Sequence, residues 1–336
     1  MEGSCSSFFQ KGPVHTRWTV FSCATKIIPS LFPYMVISSL LVYSGLAERL
    51  GRIIPVASAF NLPREAGAPL ILGAVCGFPV GAKTAVDLFK NGCISKTQSE
   101  VLISISNNTG PSFVVGVVGA LFWGSPGFGW ALYFFQLLAA AAAGGIVNRL
   151  LFPFRNSGLS GKVSRPARPF SLLFSTAVSE AAASCLSICG FVAFFYVVIR
   201  FITDALTVVG AGPLPSALIA ACLEFSTGTA LSADLGGWAG AFLCGFSVGW
   251  AGLSVFFQAG AFALPAGLSL KRTVAVKSLQ GIFTGALSAV YVSVFPVAPA
   301  RLSVDAISIA ESAGGAVLLF CVLLLLAVFA KPKRKS

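Results

Sequence analysis

The residues with chemical capacity sit in short polar islands within long apolar stretches. Lys83 lies two residues past the second glycine of Gly77-Phe78-Pro79-Val80-Gly81, and Asp87 follows one turn later. An ammonium beside the free amides of a helix starting at Val80 is suited to hold an anion, because charge and helix dipole act in the same direction. The same spacing also permits an i, i+4 pair of Lys83 with Asp87, which satisfies both groups without a ligand. Glu224 precedes Ser226, Thr227 and Thr229 in a second island. A carboxylate there either caps the helix that follows or serves as a coupling-ion or proton site.

Asn107, Asn108 and Thr109 stand before Gly110-Pro111, where the proline removes one helical hydrogen bond and the amides offer donors and acceptors. Ser247-Val248-Gly249-Trp250-Ala251-Gly252-Leu253-Ser254 is a matching interruption, with Trp250 and Ser254 as its candidate binding residues. For both interruptions, a substrate site and the packing of small polar residues between helices are the two readings.

Catalytic signatures fail on inspection. Gly-Ala-Lys-Thr at residues 81–84 lacks the spacing of a phosphate loop, and no strand precedes it. Gly158-Leu159-Ser160-Gly161 falls in a basic stretch, and the single histidine, His15, offers no dyad. The nine cysteines form no CxxC pair and read as core thiols rather than metal ligands or a disulfide framework. The expectation is a protein that is not an enzyme, with no cofactor beyond a coupling ion, H+ or Na+, that the sequence leaves open.

The elements that must position these islands are membrane helices. Of the 336 residues, 56% are apolar, 35 are glycine and 10% are charged, against roughly a quarter charged in soluble chains. Residues 101–148, 235–270 and 278–300 contain no Asp, Glu, Lys or Arg, and a membrane core takes about 20 such residues per helix. A soluble enzyme, a nucleic-acid binder and a disordered chain are excluded. So is a β-barrel, since nothing alternates at period two. No cleavable signal peptide is evident, because Lys26 interrupts the first apolar run.

Full spans are expected at about 31–50, 97–123, 128–151, 183–203, 238–263, 273–296 and 309–330. Segments 66–90 and 211–234 carry breaks at their middles and read as re-entrant hairpins. The basic residues cluster between apolar runs, so the net charge of +12 is a topology signal. Placing the tail Lys331-Pro332-Lys333-Arg334-Lys335 in the cytoplasm puts 17 of 23 basic residues there, Lys271, Arg272 and Lys277 among them. The count holds only if both hairpins return to their starting side.

The order span, hairpin, broken span, span then occurs twice. The expected fold is an all-α polytopic membrane protein with two inverted-topology repeats, each with a re-entrant helical hairpin and a broken transmembrane helix. Its parts are an N-terminal amphipathic segment (1–30), a first repeat (31–151), a basic cytoplasmic linker (152–182), a second inverted repeat (183–296), and a C-terminal transmembrane helix with its basic tail (297–336). Inversion places the hairpin tips, at Pro79 and Phe225, opposite each other across the midplane.

Leu31-Phe32-Pro33, Gly77-Phe78-Pro79-Val80-Gly81-Ala82-Lys83, Ser106-Asn107-Asn108-Thr109-Gly110-Pro111, Leu223-Glu224-Phe225-Ser226-Thr227-Gly228 and Gly249-Trp250-Ala251-Gly252-Leu253-Ser254-Val255 together resemble the sporulation integral membrane protein YlbJ family, whose members carry a nucleoside-recognition, or Gate, domain. The likeness covers about residues 30–296. It implies a distant relation in fold to concentrative nucleoside transporters and, for the sporulation branch, movement of dipicolinate across the membrane around the forespore. The residues themselves indicate only an anionic or polar solute. The expected partners are a small-molecule anionic substrate and the lipid bilayer, with no nucleic acid and with homo-oligomerisation left open. The alternatives are a transporter of a nucleoside or other polar solute and a non-transporting sporulation membrane assembly protein.

Overall fold

The computed structural model describes residues 28–44, 60, 62–63, 66–152 and 169–297. The expected amphipathic segment before residue 28, the basic linker up to residue 168 and the last span at 309–330 lie outside these residues. Among the described residues the chain is helical throughout, with no strand.

The first half opens with α1 (Ile28–Tyr43), followed by the pair α2 (Gly67–Cys76) and α3 (Val80–Lys90). Next come α4 (Lys96–Ser106), a π-helical segment (Ser112–Phe122) and α5 (Pro126–Leu150). The second half opens with α6 (Phe170–Val208) and the pair α7 (Pro213–Leu223) and α8 (Phe225–Leu235). It continues with α9 (Gly237–Trp250), α10 (Gly252–Ala263) and α11 (Lys271–Val294). The order helix, helix pair, interrupted helix, helix therefore recurs. Among the described residues four stretches are long and apolar enough to cross a membrane: α5, α6, α9 with α10 and the short turn after it, and α11.

Local chemistry sets the boundaries. Ser95 and Gln98 form a reciprocal capping box at the start of α4. Ser125 caps α5, whose first position is Pro126, where a missing N–H costs nothing. The pair α2 and α3 folds back on itself at Gly77-Phe78-Pro79, and a Cβ on Gly81 would stand 2.9 Å from the Gly73 Cα. Both glycines press against the carbonyl of Ser106 at the end of α4, so this close approach admits no side chain. The pair α7 and α8 turns at Glu224 in the same manner, with Gly228 against the backbone of Ala221.

α1 runs to Tyr43, and residues 45–50 of the expected span lie outside the described residues. One expected boundary moves. α6 begins at Phe170, inside the segment read as linker, and its 39 residues make it about 58 Å long, nearly twice a bilayer core. The stretch from Phe170 to Glu180 holds one charge among apolar and small residues, so nothing stops a helix there once Pro169 is passed.

α9 and α11 pack backbone against backbone. A Cβ on Gly245 would meet the Gly285 Cα at 2.9 Å, and one on Gly249 would meet the Gly281 Cα at 2.9 Å. Two glycine pairs spaced by four thus face one another, and the two backbones touch directly, as small residues permit between membrane helices. The outer faces of α5, α6 and α11 expose Phe134, Leu138, Leu186, Phe194, Phe201 and Ile282, an apolar surface suited to lipid chains.

Candidate functional site

The chemistry of the centre follows from the two helix interruptions. At the first, α4 stops at Ser106 and the chain runs unwound to Pro111. The side chain of Gln136 on α5 holds this stretch in place. Its Oε1 accepts the Thr109 N–H at 3.2 Å, and its Nε2 donates to the Thr109 carbonyl at 2.7 Å. One amide thus substitutes for the helical partners that the break removes.

At the second interruption Ala251 takes φ +71° and Gly252 φ +80°. Ala251 is the one non-glycine residue with positive φ among the described residues, and the conformation costs it roughly 1–2 kcal/mol. The left-handed step ends α9 and restarts the chain as α10. Gly252 fits because a Cβ would lie 3.0 Å from the Glu224 Cα.

The two interruptions and the two hairpin tips meet. Thr109 Oγ1 donates to the Val248 carbonyl at 3.5 Å. Phe78 at the first tip stands edge to face with Phe225 at the second, ring centroids 4.6 Å apart, and Phe113 approaches Phe225 at 4.8 Å. Phe78 also packs with Ala251 and Val255. The expected approach of the tips is met by this aromatic contact.

Lys277 lies at the heart of this region, on α11, and is 1% exposed. Its amine donates to Asn108 Oδ1 at 3.0 Å and to Gln280 Oε1 at 2.8 Å. Gln280 Nε2 donates in turn to Asn108 Oδ1 at 2.9 Å and to the Gln136 carbonyl at 3.1 Å, while Asn108 Nδ2 donates to the Ile105 carbonyl. These bonds fix each amide's orientation, so Lys277 faces oxygens. Among the described residues no carboxylate comes within ion-pair distance of it. A pocket of about 390 Å³ between α2, α4 and α5 ends on Asn108, amid Leu70, Ile71, Ile105 and Leu137.

Lys277, counted with the cytoplasmic basic residues although it falls inside the expected span 273–296, is buried on α11. The signal for its burial was available in the sequence. Thr273, Lys277, Gln280, Thr284 and Ser288 fall on one buried face of α11 at spacings of three and four.

Several buried polar atoms around the breaks have no protein partner: Ser106 Oγ and Asn107 Oδ1 at the first, Ser254 Oγ and Gln258 Oε1 on α10 after the second. Buried polar groups are ordinarily paired, and those left over mark where a ligand or water supplies the partner.

Other expected site residues are occupied by the protein itself. Glu224, 1% exposed, caps α8. Its carboxylate accepts from the amides of Ser226 (3.0 Å) and Thr227 (2.8 Å) and from both their hydroxyls (2.6 and 2.9 Å). Thr229 donates back to the Ser226 carbonyl, and Trp250 Nε1 donates to the Cys222 carbonyl at the end of α7.

Lys83 stands in a separate cluster. Its ammonium donates to Asp87 (2.7 Å), Ser39 Oγ (2.8 Å) and Glu180 (3.1 Å), and Tyr43 donates to the same Glu180 oxygen at 2.5 Å. All three of its protons are used, two of them by carboxylates. This is the pairing reading of Lys83 with Asp87, extended by Glu180 from α6. The cluster borders a pocket of about 340 Å³.

Interrupted helices meeting around buried, partly unpartnered polar groups, within a bundle of membrane-length helices, define a multi-pass helical membrane protein with a polar interior site. The family model for nucleoside recognition, Gate, matches residues 24–125, which carry the first helix pair and the first interruption. Over 292 residues the chain is 26% identical to the sporulation integral membrane protein YlbJ of Bacillus subtilis (strain 168), covering 76% of this chain and 72% of that protein. No solved structure matches. The resemblance carried by the motifs is borne out by both matches.

Proposed function

We propose that the protein is a membrane transporter of a small polar anion, working by alternating access around the centre where the two interruptions meet. Its halves are inverted copies, α2 with α3 and α7 with α8 are re-entrant hairpins, and the basic C-terminal tail is cytoplasmic. The observation that carries the reading is Lys277, an amine buried inside a bundle of membrane-length helices with neutral amides and, among the described residues, no carboxylate around it. A cation inside such a bundle is costly unless it serves a ligand or a partner, and the described residues supply no charged partner. The role is transport rather than catalysis.

Dipicolinate is the substrate of choice. The sporulation name of the similar Bacillus protein supports the setting, and the membrane around the forespore is the corresponding location. A planar aromatic dianion suits an amine, hydroxyls and amides beside Phe78, Phe113 and Phe225. The second reading, a nucleoside, is favoured by the Gate match and by the amide side chains of Asn107, Asn108, Gln136 and Gln280 gathered at the first interruption.

Uptake of labelled dipicolinate and labelled uridine into liposomes holding the purified protein separates the two. Dipicolinate uptake that Lys277→Met abolishes supports the anion. Uridine uptake alone supports the nucleoside, and uptake of neither rejects both.

A further inference from the structure

Lys83 and Lys277, the buried lysines among the described residues, differ in how many acceptors surround them. Lys83 has three for its three protons, two of them carboxylates. Lys277 has two, both neutral amide oxygens, which equals the number of N–H groups on an uncharged amine. A third proton on Lys277 would find no acceptor among the described residues and would leave an uncompensated charge in low dielectric, which disfavours the charged amine.

The surroundings supply no compensation. α9 carries no charged side chain, and its one titratable group is the buried thiol Cys244. On α5 the nearest charged residue is the exposed Arg149. On α4 they are the exposed Lys96 and Glu100, whose carboxylate accepts the Ser269 amide. On α11 itself Lys271 is exposed, Arg272 is engaged with Asn148 and the Phe152 carbonyl, and Tyr291 lies four turns away.

We propose that Lys277 is the carrier of a coupling proton: an anion and a proton enter the centre together, the proton residing on Nζ while the anion is bound and leaving with it. A bound carboxylate supplies both the missing third acceptor and the missing countercharge. The proton comes from water on the entry side and is released to water on the exit side, so the empty carrier returns with an uncharged amine. This rests on the reading of the centre as an anion site.

The experiment is calorimetric titration of the purified full chain with dipicolinate in two buffers of different ionisation enthalpy, which counts protons taken up per anion bound. The expected count for the native protein is about one in the alkaline range, with affinity falling about tenfold per pH unit as pH rises, since linkage is reciprocal. In Lys277→Arg, where the charge is permanent, binding is expected to take up no proton and to lose this pH dependence. Glu180→Gln is expected to keep the count.

Binding by the native protein with no proton uptake overturns the inference and leaves the anion reading standing. Uptake that persists in Lys277→Arg, or vanishes in Glu180→Gln, also overturns it by placing the proton elsewhere. Absence of any dipicolinate binding overturns the anion reading itself.

Discussion

Gln136 offers the sharpest test of how the first interruption is built. Replacing it with leucine keeps nearly the same volume, so the change is confined to the two bonds it makes with Thr109, at 3.2 and 2.7 Å. Both residues are buried, Gln136 fully and Thr109 to within 2%. Each backbone group left without a partner costs about 1–3 kcal/mol, so Gln136→Leu should destabilise the protein by about 2–6 kcal/mol. The measurement is thermal unfolding of the purified protein in detergent, followed by loss of the monodisperse species on size exclusion. Uptake should fall as well, because Asn108, the next residue along the unwound stretch, is what orients toward Lys277. Gln136→Glu is the companion variant. It keeps an acceptor for the Thr109 N–H but sets an oxygen against the Thr109 carbonyl, and should be at least as unstable as leucine. An unchanged melting temperature for Gln136→Leu would refute the claim that this amide holds the break.

Lys83→Met should strand Asp87 and Glu180 beside each other and destabilise the protein by about 3–5 kcal/mol, with Lys83→Met/Asp87→Leu/Glu180→Gln recovering much of the protein level. Recovered protein that no longer takes up dipicolinate would instead give Lys83 a part in the substrate site. Glu224→Gln should lower stability by about 1 kcal/mol through a weaker cap and leave uptake measurable; loss of uptake at unchanged stability would make the carboxylate an ion site. Ala251→Gly should stabilise or be neutral, by up to about 1–2 kcal/mol, whereas Gly252→Ala should destabilise, since it adds a Cβ both at positive φ and 3.0 Å from Glu224. Thermal unfolding of the two variants side by side reads the difference, and equal effects would show that the left-handed step is not what sets the break.

Much of the fold was legible because glycine and proline mark the ends of apolar runs. The turn at Gly77-Phe78-Pro79, the unwinding before Pro111 and the left-handed step at Ala251-Gly252 all sit where the sequence breaks a helix. Asn107, Asn108 and Thr109 were legible for the same reason, since amides beside a helix-breaking proline are exposed to neighbours rather than to their own turn.

The role of Glu224 was ambiguous in sequence because a cap and an ion site need the same residue at the same place. The structure shows the cap, with four donors on the carboxylate. Lys277 was misplaced for a different reason. Six residues into an apolar helix that begins Lys271-Arg272, it looks like the last member of a basic loop, and only its register with Gln280, Thr284 and Ser288 turns it inward. Glu180 was missed because its partner Lys83 is 97 positions away, a separation at which sequence spacing has nothing to say.

The direct backbone contact between α9 and α11 limits how this molecule can move. Helices that meet through interlocking side chains can slide, each rotamer yielding in turn. Gly245 and Gly249 against Gly285 and Gly281 leave no such compliant layer, and a shift of even an ångström along either axis would drive a carbonyl into a Cα. Lys277 therefore travels with Val248 and the second interruption as one slab. What joins that slab to the first helix pair and the first interruption is the aromatic junction of Phe78, Phe113 and Phe225 together with the bonds from Thr109 to Val248 and from Lys277 and Gln280 to Asn108, so the proposed opening has to part the rings and break those bonds as well.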